Sequence, residues 1–313
     1  MYGGETTFTS GGYLGTDDYK VISIALYMYY GSIYCEGGYL KASAACSSGT
    51  EKTRFAYGIF SMSSGASEYV YPITIGKQLE EGQDAGSVTV ECEAGTVSGD
   101  DSISAGVYKQ YGYRENKNPS LTQYYGEFIA TSKTKESAKE SYGLFTAYAE
   151  ILGGVFTATS GSVSNSGNSA GVRAYRFNYS SDEESEINSG AVSADSSTYG
   201  IALTYSNSSY DDYAGHFQIT TGTLNINCGT QTNKGNAYGI AGCDIQFGSD
   251  SDATKKPTTN IQVANGASCY GLYGYLINTE DAQVGFFGGN VTIENAAATS
   301  GDNYCVYSTN NDQ

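Results

Sequence analysis

One short element recurs along this chain and limits what it can fold into. Ala56-Tyr57-Gly58-Ile59, Ser141-Tyr142-Gly143-Leu144, Thr198-Tyr199-Gly200-Ile201, Ala237-Tyr238-Gly239-Ile240 and Cys269-Tyr270-Gly271-Leu272 are close copies. Ala105-Gly106-Val107, Ala170-Gly171-Val172 and Tyr304-Cys305-Val306 are looser ones. The mean step between copies is about 35 residues, the spacing of solenoids, propellers and repeat arrays. A second element precedes each copy, with an aliphatic or small residue two and four positions after a leading residue, usually Gly. Its pairs are Leu40/Ala42, Val88/Val90, Phe128/Ala130, Val155/Thr157, Val192/Ala194, Leu224/Ile226, Ile261/Val263 and Val291/Ile293.

Alternation with a period of two in both elements predicts strands. Each unit is then strand, polar turn, strand and a variable link. Some links carry a third extended piece: Tyr69 to Ile75, His216 to Ile219, and Asp244 to Phe247. No such unit can bury its apolar face alone, so neighbours must stack and share a core. The aliphatic residue after each recurrent Gly is expected inside that core: Ile59, Val107, Leu144, Val172, Ile201, Ile240, Leu272 and Val306. The expected fold is all-β, a repeat β-solenoid or stack of β-arches with about eight units of roughly 35 residues. Steps of 28 and 29 residues, from Gly143 to Gly171 and on to Gly200, are too short for four-stranded propeller blades. Residues 1–37 read as an N-terminal lead-in or cap, with Val21 to Tyr27 as a strand or first-rung cap, and 38–313 as one elongated array. Ser132 to Glu140 is the one plausible short helix, with a solvated loop equally open.

Charge and motifs narrow the function. A net charge of −17 excludes a nucleic-acid binder, which needs a basic face to release counterions. No apolar run reaches the length of a transmembrane helix. The start Met1-Tyr2-Gly3-Gly4 lacks a signal peptide's basic and apolar stretches, so a secreted form would be a mature one. Gly167-Asn168-Ser169-Ala170-Gly171 matches the G-x-S-x-G nucleophile elbow, but it lies in a polar repeat turn rather than at a strand-to-helix corner. The only histidine is His216, which excludes zinc sites of several imidazoles. No catalytic, cofactor or metal site is expected. Ca²⁺ held by carboxylates of adjacent units is a weaker alternative, since paired acids such as Asp182-Glu183-Glu184 fall in the links but form no calcium-loop motif. Seven cysteines (Cys35, Cys46, Cys92, Cys228, Cys243, Cys269 and Cys305) form no C-x-x-C pair. They are either small buried residues in ladders or disulfide and cross-link positions, with an odd count that leaves one thiol over. Their absence from 93 to 227 suits a block joined to its neighbours at both ends, outside a reducing compartment.

The Gly-x-Val-x-Ile and Tyr-Gly-Ile alternation resembles repetitive β-solenoid surface proteins of microbes, adhesin-like and sheath-like ones. The acidic, Gly/Ser/Tyr-rich composition with several cysteines also looks like the cell-sheath proteins of methanogenic archaea. That resemblance implies secretion and an amyloid-like, disulfide-reinforced tube at the cell surface. The leading expectation is therefore a structural subunit that self-assembles into a homopolymer: a sheath, surface layer or filament. The alternatives are an adhesin or fibre segment that binds glycans through exposed tyrosines and, more weakly, a polysaccharide-active β-helix enzyme.

Overall fold

The computed structural model describes residues 1–11, 21–44, 53–62, 71–97, 102–110, 118–134, 138–164, 167–193, 195–203, 215–275 and 283–308. It is an all-β solenoid. Its strands lie in three parallel sheets, two of nine strands and one of eight, and the chain visits sheets A, B and C in rotation. Each circuit is one rung. The first rung is Tyr2–Ser10, Val21–Tyr29 and Ile33–Cys35; the fifth is Val155–Thr159, Ser169–Ala174 and Arg176–Tyr179. The ninth is described in sheets A and B only, as Asn290–Asn295 and Asn303–Ser308. At roughly 4.8 Å per rung the stack is about 40 Å long.

Two expectations change here, and a third is narrowed. Residues 1–37 are not a separate cap, because Thr6 to Ser10 pair in register with Leu40 to Ala44, and Ile22 to Tyr29 pair along Phe55 to Met62. The third strand is not confined to a few links: sheet C runs through eight rungs, with pieces as short as Leu121–Gln123. The helix-or-loop stretch Ser132 to Glu140 turns to strand at both ends, Glu127–Ser132 before it and Glu140–Phe145 after it; residues 135–137 lie outside the described residues, and no helix occurs among those described.

The recurrent Gly of sheet B has a steric cause. Sheet B passes so close to sheet A that a Cβ has no room. On Gly143 it would lie 2.5 Å from the Thr159 nitrogen, 2.6 Å from the Gly171 oxygen and 2.9 Å from the Ala158 carbonyl carbon. Gly58 and Gly106 also meet sheet A backbone, beside Ala42 and Ala130. Further on, sheet A carries Ile187, Ile226, Ile261 and Ile293 in this ladder, and their Cγ2 methyls occupy the space at Gly171, Gly200, Gly239 and Gly271. The aliphatic residue after each Gly then enters the core. Ile59, Val107, Leu144, Val172, Ile201, Ile240 and Leu272 are fully buried. Val306 is not: it is 43% exposed, in the outermost described strand of sheet B, Asn303–Ser308.

Sheet A supplies the opposing ladders, and two units differ from the sequence reading. In the fifth rung Phe156 and Ala158 face inward, paired with Phe128 and Ala130, rather than Val155 and Thr157. A one-residue shift exchanges every side chain between core and solvent. In the sixth rung the strand is Glu184–Asn188, which buries Ser185 and Ile187, whereas Val192 makes only isolated bridges in the turn. Ser185 replaces a large residue because Tyr179 of sheet C fills that space and bonds its hydroxyl, 3.0 Å away. Phenylalanines interlock across the same corner. Phe128 and Phe156 on sheet A adjoin Phe177 and Phe217 on sheet C, with ring centroids 5.7 to 6.1 Å apart.

Candidate functional site

The two end faces of the stack differ from the rest of its surface. Interior rungs bury their inward ladders, and the outermost described rungs expose several large side chains, although Ile33 and Cys35 of the first rung stay buried. Phe8, Ile22, Tyr27, Tyr29 and Tyr34 are exposed on the first rung, and Phe286, Tyr304 and Val306 on the outermost strands of the other end. Among the exposed large hydrophobic side chains described, only Leu152 lies away from the two ends. Natural edge strands are blunted by lysine, proline or inward charges. Here the outermost strands, Tyr2–Ser10, Val21–Tyr29, Ile33–Cys35, Gln283–Phe286, Asn290–Asn295 and Asn303–Ser308, contain no Lys, Arg or Pro. Their only charged residues are Glu5 and Glu294. One irregularity, a register shift between Tyr2 and Glu5, interrupts the first edge.

Five of the cysteines occupy small buried sites, one of the two roles expected of them. No disulfide occurs among the described residues; of their cysteines, Cys35, Cys92, Cys228, Cys243 and Cys269 are buried, and only Cys305 is exposed. Cys46 lies outside the described residues. The physical reason is ladder position. Cys92 stands between Ala42 and Ala130 in sheet A, and Cys269 follows Ala237 in sheet B, so each acts as a small core residue. Burial raises the thiol pKa at Cys35 and Cys269, lifts it to about 11 at Cys228, and places Cys92 well above its ordinary value.

Ser169 and His216, the two residues that invited a catalytic reading, are not brought together: one is at an interior corner and the other on sheet C. Ser169 is fully buried at the turn between sheets A and B. Its hydroxyl shares a 2.7 Å hydrogen bond with Ser160, donates to the Gly161 carbonyl at 2.9 Å and accepts the Gly190 N–H at 3.1 Å. It belongs to an internal hydroxyl ladder at this corner. Ser132 donates to Ser104, Ser141 donates to Ser132, and Ser189 bonds Thr198, each at 2.7 to 2.9 Å. These hydroxyls satisfy turn amides and carbonyls that the sheets leave unpaired. His216 is on the outer face of sheet C, with Nδ1 2.7 Å from an Asp244 carboxylate oxygen to which Gln246 also donates. The signal that could have identified the hydroxyl ladder was present: Ser104, Ser141, Ser169 and Thr198 precede the repeat glycines at one fixed offset.

Two rows of rings cover the outer face of sheet B. In one row Tyr199, Tyr238, Tyr270 and Tyr304 follow one another, with centroids 4.9, 5.1 and 6.1 Å apart. Tyr27, Phe60, Tyr108 and Phe145 form the first half of the other, with stacked rings at 5.5, 5.6 and 4.3 Å. No group of three or more His, Cys, Asp or Glu side chains among the described residues is placed to hold a metal ion. No helix there is long and apolar enough to cross a membrane. Comparison with protein-family models, curated proteins and solved structures found no match to this chain.

Proposed function

We propose that the chain is a structural subunit that polymerises by stacking its last rung on the first rung of a second copy. The observation that carries this reading is the pair of end faces of the described stack, whose outermost strands expose large side chains and carry one acidic residue each. In-register stacking would place Ile293 beside Phe8, Val306 beside Leu26 and Tyr307 beside Tyr27, continuing ladders that already run through the subunit. Most of the −17 charge lies away from these strands, so end-to-end contact brings few like charges together. The junction is held by strand pairing and buried ladders, not by disulfides of the buried thiols. A sheath, surface layer or filament outside the cell is the setting this reading implies.

Sedimentation velocity over a range of concentrations, with negative-stain microscopy, tests it. The wild-type chain should form rods of increasing length, and Phe8→Lys and Val306→Lys, one at each end, should shorten or abolish them while retaining the folded monomer's melting temperature. A wild type that stays monomeric at every concentration, or variants that polymerise unchanged, would refute the proposal.

A further inference from the structure

We infer that the outer face of sheet B carries a binding site for one uncharged hexopyranose unit of a glycan, independent of the end faces. The second ring row is interrupted. Following Tyr27, Phe60, Tyr108 and Phe145, its next positions are Arg173, Ala202 and Ala241, before rings resume at Tyr273 and Tyr307. Two successive alanines remove two rings from a continuous row and leave a slot about 10 Å long at the rung spacing. A cavity of about 150 Å³ occupies it. Ala170, Ala202 and Ala241 are among its lining, together with rings of Tyr142, Tyr199, Tyr238 and Tyr273.

The walls and the polar group indicate the ligand. Aromatic faces with a few fixed donors are the usual makeup of a small-molecule site, and a pyranose offers the C–H faces that stack on them. Arg173 is the fixed donor. Its guanidinium lies 5.4 Å from the ring centroids of Tyr142 and Phe145, donates to the Tyr142 hydroxyl and stands 3.7 Å from the Glu140 carboxylate. Its Nε–H has no hydrogen-bond partner among the described residues and is sealed from water, so a ligand reaches it only by a small shift of the side chain. A buried unpaired N–H favours any ligand that brings an acceptor. Glu140 already balances the guanidinium charge, and the chain as a whole is strongly acidic, so a neutral hydroxyl suits this donor better than a second carboxylate. The space matches one sugar ring rather than an extended chain of them.

The chain has no tryptophan, so its emission is that of its 30 tyrosines, of which Tyr142, Tyr199, Tyr238, Tyr273 and Tyr275 line the cavity. The experiment titrates the full chain with methyl glucosides, galactosides and mannosides, and with methyl glucuronide as the charged comparison. At least one neutral glycoside should give a saturable emission change at about millimolar strength, and Ala241→Phe, which completes the ring row, should weaken it more than about tenfold. Arg173→Gln should weaken it as well. Should Ala241→Phe fail to fold, nitration of the wild type decides: the bound glycoside must protect Tyr199 and Tyr238 while leaving Tyr34 unprotected. Absence of saturable binding by every neutral glycoside, binding of the glucuronide alone, or undiminished binding by a folded Ala241→Phe variant would overturn the inference.

Discussion

Substituting alanine for the recurrent glycines should cost different amounts in different rungs, and the difference tests how sheets A and B meet. At Gly143 the added methyl meets only backbone: the Thr159 nitrogen at 2.5 Å, the Gly171 oxygen at 2.6 Å and the Ala158 carbonyl carbon at 2.9 Å. Those atoms cannot rotate away, so two rungs of sheet must separate. Overpacking a tight core costs about 1–3 kcal/mol and sometimes more, and Gly143→Ala should fall at or above the top of that range. At Gly200 the methyl instead overlaps Ile226 Cγ2, with the Gly239 oxygen 2.6 Å away. Trimming Ile226 to Ala removes Cγ2, and this change alone should cost about 2–5 kcal/mol. Part of the strain in Gly200→Ala then disappears, so the double variant should be more stable than the sum predicts by about 1–2 kcal/mol, within the usual range for touching residues. Urea unfolding followed by far-ultraviolet circular dichroism gives all the required free energies. If Gly143→Ala matches wild type, or the Gly200/Ile226 cycle is additive within about 0.5 kcal/mol, close approach is not the reason for the repeat glycine.

Three further outcomes follow from the buried groups. Ser169→Ala should lower stability by about 1–3 kcal/mol, because the Gly190 amide and the Gly161 carbonyl lose a buried partner; an unchanged urea midpoint would contradict this. In the native protein a thiol reagent should modify Cys305 well before any of the five buried cysteines, read by peptide mass mapping; early labelling of Cys92 would contradict its placement. Stability should also decline in alkali. Cys228 and Tyr148 have folded pKa values raised from 9.0 to about 11 and from 10.0 to about 12, in each case chiefly by burial. A raised folded pKa contributes stability that is fully present below the unfolded value and is lost as pH rises through the folded one. Melting temperature should therefore fall progressively from about pH 9 to pH 12, and a flat profile across that window would refute the burial of these groups.

How much of this was legible in the sequence depended on how many residues could serve at each position. The Tyr-Gly-Ile element stood out because the Gly site leaves no room for a side chain in any rung from Gly58 to Gly271, with Cys305 only in the outermost strand, and the next site accepts only aliphatic residues. Sheet C did not, because pieces such as Leu121-Thr122-Gln123 and Arg176-Phe177-Asn178-Tyr179 are short and lack an obligatory residue. The fifth-rung slip came from two adjacent glycines. Gly154, with φ near +79°, occupies the turn position two residues before the first inward side chain, as Gly126 and Gly222 do before Phe128 and Leu224. Counting from Gly153 shifts the face by one. The cysteines left two readings open for a different reason: a thiol suits a ladder site between alanines as well as it suits a cross-link, and the neighbouring rungs are what identify the ladder sites. The aromatic rows were visible as composition, but the gap at Ala202 and Ala241 exists only once the rungs are in register.

The parallel stacking of rungs also governs how such a rod would bear load. The hydrogen bonds between rungs point along the long axis, and consecutive rungs are joined by one chain. A pull on the two ends therefore loads the junctions in series, and each yields by peeling its strands apart rather than by shearing a whole sheet. The terminal rungs, supported from one side only, should yield first. Extended at constant speed, the chain should give a sawtooth of small, similar force drops, each releasing about one 35-residue circuit.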